Sequence, residues 1–226
     1  MTADQQILDI LKTFGRLTIP YIRRAGYFTT GSSVGAGLIL DDYTLWRMIE
    51  KNARSKNMSI WELYWKHHGE VEFQLGGART ADQLQVLHYS KTRLAQAYYE
   101  ERGLQFVKQM SNTDMIYIKR AIERDFYLGE RAFARKLQDS YIASPARFRR
   151  IKRTESHTAL EKGGYNYAVG YGAKYKRQNT VGDSRVRPSH RAAQAEGWIQ
   201  VDKAFVSTGR MVADDINCRC YLSYRF

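Results

Sequence analysis

The chain has 226 residues, 43% of them apolar, which suffices to fill a core without disulfide or metal staples and excludes an intrinsically disordered chain. No run of about 18 apolar residues occurs, so a membrane-spanning helix has nothing to be made from and no membrane partner is expected. The formal charge of +13, from 36 Lys+Arg against 23 Asp+Glu, predicts attraction to polyanions.

That excess is uneven: residues 144–226 hold 16 Lys+Arg and 7 Asp+Glu, whereas residues 1–143 hold 20 and 16. The basic surface therefore belongs to the C-terminal part. The opening MTADQQILDILKTFGRL lacks the basic region, apolar run and small-residue cleavage site of a secretory signal, which places synthesis and assembly in a cytoplasm. Cys218 and Cys220, one residue apart, do not make a disulfide scaffold.

Taken in chain order, residues 4–14 carry Ile7, Leu8, Ile10, Leu11 and Phe14 at helical spacing. Between Thr18 and Leu40, Pro20 and the run GYFTTGSSVGAG predict an extended or mobile segment, with a Gly-rich loop at 26–37. That loop lacks the GK[ST] ending of a Walker phosphate loop. Asp41 or Asp42 can cap DYTLWRMIEKNARSK, and Ser59 with Glu62 forms a capping box for a separate helix ending near His67 and His68. Those adjacent histidines point about 100° apart and read as a solvated helix end.

Thr80 opens a pattern through about Gln109, with Leu84, Leu87, Leu94, Ala95, Tyr98 and Tyr99 mostly at steps of three and four and a bend or break at Gly103. Ser111 or Thr113 starts another helix whose buried stripe is Met115, Ile118, Ile122 and Phe126, ending near Gly129. ERAFARKLQDSYI follows. Ser144 and Pro145 give a cap and a first-turn proline for a helix bounded by Gly163 and Gly164. Beyond Gly172, GWIQVDKAFV and CRCYLSY predict a small sheet. The fold class is α+β: a mostly helical N-terminal part, then a small C-terminal α+β domain with a short antiparallel sheet.

Three segments carry the functional reading. In ARFRRIKRTESHTA, five of seven positions are cationic: Arg147, Arg149, Arg150, Lys152 and Arg153. They spread over more than one helix face, with Phe148 and Ile151 as the inner edge, and a buried Glu155 would need a partner. In SRVRPSHRA, Arg185 and Arg187 alternate as on a strand, which would present two guanidinium forks to phosphates or carboxylates on one side. In NCRC, cysteines at i and i+2 could offer two thiolates to a soft metal with His190 as a third ligand, but zinc usually takes four ligands, so paired buried thiols are the default and no cofactor is expected.

The order IKRTES, RVRPSH, NCRC resembles the phage head-morphogenesis domain named after the F protein of phage Mu, a minor head protein family of tailed phages. RAIERDFYLGERAFARKLQ followed by a basic helix is similar to the family's helices around a central glycine, so the resemblance covers roughly residues 113–222. It implies two regions, a helical 1–110 and a Mu F-like 111–226, with Glu155, His190, Asn217, Cys218 and Cys220 as structural motif residues. It further implies a minor capsid protein of the virion at the portal vertex, with portal, capsid or scaffold proteins as partners. Arg147, Arg149, Arg150, Lys152, Arg153, Arg185 and Arg187 are then candidates for contacting double-stranded DNA without sequence specificity. The alternatives are a small nuclease-like or ADP-ribosyltransferase-like enzyme with His190 as general acid or base, and an adaptor in which a buried Arg187 pairs internally, with Glu155 as the candidate partner.

Overall fold

A computed structural model describes residues 1–25, 39–84 and 92–226. The expected Gly-rich loop at 26–37 and Leu87 lie outside them. The described chain is α+β, with seven α-helices and one three-stranded sheet among these residues. None of the described helices is long and apolar enough to cross a membrane. Two compact units are present, each built from two stretches: residues 1–64 with 100–149, and residues 65–99 with 150–226.

In the first unit, α1 spans Ala3–Arg24, capped by Thr2, whose hydroxyl accepts from the Gln5 backbone N–H. It passes through Pro20 instead of stopping before Thr18, because Thr18, Ile19 and Ile22 are buried and their packing outweighs the lost proline hydrogen bond. Helix α2, Tyr43–Tyr64, begins where the Asp42 carboxylate accepts from the Leu45 backbone N–H at 2.8 Å. It continues through Ser59, whose hydroxyl donates back to the Ser55 carbonyl and so caps nothing. Further along, α4 spans Thr92–Asp125 without a break at Gly103, Ser111 or Thr113. At Gly103 an added Cβ would lie 2.5 Å from the Trp61 indole nitrogen, so this glycine serves close packing rather than a bend. Residues 110 and 111 both lie within α4. Ile118, Ile122 and Phe126 join Phe133 and Leu137 of α5, Glu130–Gln138, in one apolar core, as the predicted stripe requires.

Helix α6, Pro145–Gly170, starts as expected: the Ser144 hydroxyl accepts from the Arg147 backbone N–H at 3.1 Å. It does not stop at Gly163 and Gly164. These residues belong to the second unit, with helix α3, Glu70–Leu84, which follows a π-helical turn at Trp65–Gly69 that contains His67 and His68. The α3 helix begins before Thr80, which is buried in its interior. A Cβ on Gly163 would fall 1.9 Å from the Phe73 carbonyl oxygen, and one on Gly76 1.9 Å from that of Leu160. Glycine here permits the backbones of α3 and α6 to touch; the signal that read as a helix end marks a helix crossing.

The sheet has β1, Tyr175–Asn179, at its centre, flanked by β2, Ile199–Gln200, and β3, Tyr221–Arg225, both antiparallel to it. Leu222 and Tyr224 of β3 face a core with Ala168 of α6, Phe205, and Ala193 of α7, Pro188–Ala195. Lys176 of β1 is also inside, its ammonium donating to the Met211 carbonyl at 2.7 Å and lying 5.0 Å from the Tyr165 ring centroid. Burial, assisted by Lys162, lowers its pKa to about 8. The SRVRP segment is a turn and not a strand, so Arg185 and Arg187 do not share a strand face.

Candidate functional site

The second unit contains a cleft of about 280 Å³ lined by side chains from all three sequence segments. Arg153 comes from α6; Arg185 and Arg187 come from the turn before α7; His190 comes from the first turn of α7; and Cys218, Arg219 and Cys220 approach β3. Pro188 at the start of α7 sets the backbone that turns His190 inward. Asn217 holds the approach to the cysteines: its φ of 55° is a left-handed conformation that asparagine tolerates, and its N–H donates to the Thr154 hydroxyl at 3.1 Å.

The base of the cleft is thiol and imidazole. His190 Nδ1 is 3.3 Å from Cys220 Sγ and 3.6 Å from Cys218 Sγ, and Nε2 is 2.9 Å from an Asp215 carboxylate oxygen. His190, Cys218 and Cys220 are all buried. With the ring proton on Nε2, His190 donates to Asp215 and turns the Nδ1 lone pair toward the two sulfurs. Burial would raise Asp215, but the hydrogen bond from His190 and the Arg210 guanidinium hold its carboxyl below the ordinary range. Hydrogen bonding between the sulfurs lowers Cys218 and raises Cys220, so that Cys220 keeps the proton the pair retains.

The rim is cationic. Arg153, Arg185, Arg187 and Arg219 are exposed. Arg219 pairs with Asp183 at 2.8 Å and Arg185 approaches the same carboxylate at 3.5 Å, which lowers the Asp183 pKa. Arg187 donates to the Ile216 carbonyl at 2.7 Å and is not the buried, internally paired arginine of the adaptor alternative.

Residues 118–223 match the family model described as Phage Mu protein F like protein. This segment belongs to the phage Mu F-like family. No curated protein and no solved structure matches the chain. The family points to phage head morphogenesis. Within the Mu F-like segment, the motif residues His190, Asn217, Cys218 and Cys220 converge on one cleft, while Glu155 is buried on α6.

Not every predicted cation belongs to that cleft. Arg147 is buried in the first unit, its Nη1 2.5 Å from Asp114 and 3.0 Å from the Ile142 carbonyl, so it is corrected from a DNA-facing candidate to a core residue. Arg149 and Arg150 are exposed and Lys152 is half-buried, but none of them lines the cleft. Sequence reading passed over Arg219, although its place between the two motif cysteines is the signal that could have found it. It also passed over Glu161, which is fully buried, accepts from Arg79 at 2.7 Å and from the Leu222 backbone N–H at 3.0 Å, and ties α3, α6 and β3 together. Burial raises the Glu161 pKa and Arg79 opposes the rise.

Proposed function

We propose that this protein is a minor capsid protein of a tailed bacteriophage that acts in head morphogenesis at the portal vertex, resides in the virion, and touches packaged duplex DNA through the arginine rim of its Mu F-like segment. The observation that carries the reading is the coincidence of the family match with that rim: Arg153, Arg185, Arg187 and Arg219 surround a single cleft inside the matched residues. Exposed guanidinium groups neutralise phosphates without reading base edges, which suits a protein that must accept any genome sequence. Docking on portal, capsid or scaffold proteins would fall to other surfaces.

The assembly role is tested in the phage that encodes the chain, by deleting the gene and supplying it in trans. The expected result is a loss of filled, infectious heads that the supplied gene restores, with the polypeptide present in purified particles. Infectious particles that form in normal number without it contradict the role.

One arrangement favours an enzymatic reading instead: Asp215, His190 and Cys220 stand in the order of a relay that activates a thiol nucleophile. Against it, the sulfur of that relay is buried and the same imidazole nitrogen faces a second thiol. Incubation with RNA, DNA and NAD separates the two. A specific product that disappears in His190→Ala would establish the enzyme.

A further inference from the structure

The geometry points to a zinc site formed by His190 Nδ1, Cys218 Sγ and Cys220 Sγ, with the fourth tetrahedral position left to water or a further ligand. In a tetrahedral zinc centre with Zn–S near 2.3 Å and Zn–N near 2.0–2.1 Å, the sulfur–nitrogen edge is roughly 3.5–3.6 Å. The observed separations from Nδ1 are 3.3 and 3.6 Å, and the three donor atoms all lie within 4.8 Å of one another. Both nitrogen–sulfur edges of one face of that tetrahedron thus already stand at about its spacing. Their elements are far apart in sequence, since α7 supplies the imidazole and the approach to β3 supplies both sulfurs.

The surroundings have the character of a metal site. The Asp215 carboxylate binds His190 Nε2 at 2.9 Å, which fixes the tautomer whose free nitrogen faces the sulfurs; this is the carboxylate–histidine arrangement that orients metal-bound imidazoles. Arg210 holds Asp215 in turn at 2.7 Å. The Cys220 N–H donates to Cys218 Sγ at 3.4 Å, a contact that stabilises a thiolate. His157 of α6 hydrogen-bonds to Cys218 and so adds a second imidazole to the surroundings of the sulfurs. The left-handed turn at Asn217 allows the chain to present two sulfurs one residue apart to a common point.

The full-length protein is reduced, stripped with a chelator and titrated with cobalt(II), which reports thiolate ligation by a near-ultraviolet charge-transfer band and tetrahedral geometry by intense visible bands. The expected result is one cobalt per chain with both signatures, displaced by zinc. Cys218→Ser or Cys220→Ser should remove the charge-transfer intensity contributed by that sulfur. Asp215→Asn, which leaves every ligand in place, should weaken binding by about 10-fold or more. A folded, reduced chain, judged by circular dichroism, that gives no charge-transfer band, or only the weak bands of octahedral cobalt, overturns the site. The readout is independent of DNA binding and of head assembly.

Discussion

Arg147 Nη1 lies 2.5 Å from Asp114 Oδ1, and both side chains are buried. The same carboxylate accepts from Lys56 at 2.6 Å and from Asn57 at 2.9 Å, so Asp114 of α4 collects donors from α2 and α6 within the first unit. A cation inside a basic run can therefore be a core residue, and what decides is which helix face meets an acid.

Removing one partner of a buried pair strands the other charge. Arg147→Ala is expected to cost about 3–5 kcal/mol, whereas Arg149→Ala, at an exposed position, should stay within about 0.5 kcal/mol. Urea denaturation of the two variants measures both. Equal stabilities would contradict a structural role for Arg147.

Lys56 makes that cluster sensitive to pH. Burial lowers its pKa from 10.5 to about 8, with Asp114 opposing the fall. Between those values the unfolded chain holds a proton that the folded chain has released, so this group's contribution to stability rises with pH; below about 8 both states are protonated and that contribution is lost. Lys56→Met should lose the rise. Denaturation of wild type and variant at pH about 7 and about 10 provides the comparison, and parallel behaviour would refute the assignment.

The contact between α3 and α6 predicts a steric failure. Gly163→Ala would place its methyl group 1.9 Å from the Phe73 carbonyl oxygen, and backbone cannot yield as a flexible side chain can. A loss of about 1–3 kcal/mol or more is expected, read as a lower thermal midpoint. Gly163→Ala with wild-type stability would mean that the two helices do not approach so closely.

These cases also show what was legible in the sequence. Periodicity located the stripe of Ile118, Ile122 and Phe126, and cap chemistry located Asp42 and Ser144, because both signals are local. The local break signals at Pro20, Ser59, Gly103, Ser111 and Gly163 do not end helices, because tertiary contacts overrule local preference: Gly103 meets Trp61, Gly163 meets Phe73, and Ser111 is buried against Asn57. The motif order identified His190, Cys218 and Cys220 as a set, but their distances depend on the Asn217 turn and on Asp215, which no spacing rule encodes. Reading Arg185 and Arg187 as a strand pair failed because the short segment before Pro188 turns instead of pairing.

The functional account turns on the arginine rim meeting DNA phosphates, and a salt titration of duplex binding tests this most directly. The purified protein should retard unrelated duplexes equally at low salt and release them as salt rises, because each phosphate contact releases counterions. Arg153→Ala and Arg185→Ala should each weaken binding to all sequences and reduce the slope of log affinity against log salt by about 1. Binding that is absent at low salt, or that ignores both salt and the loss of these two arginines, would contradict the account.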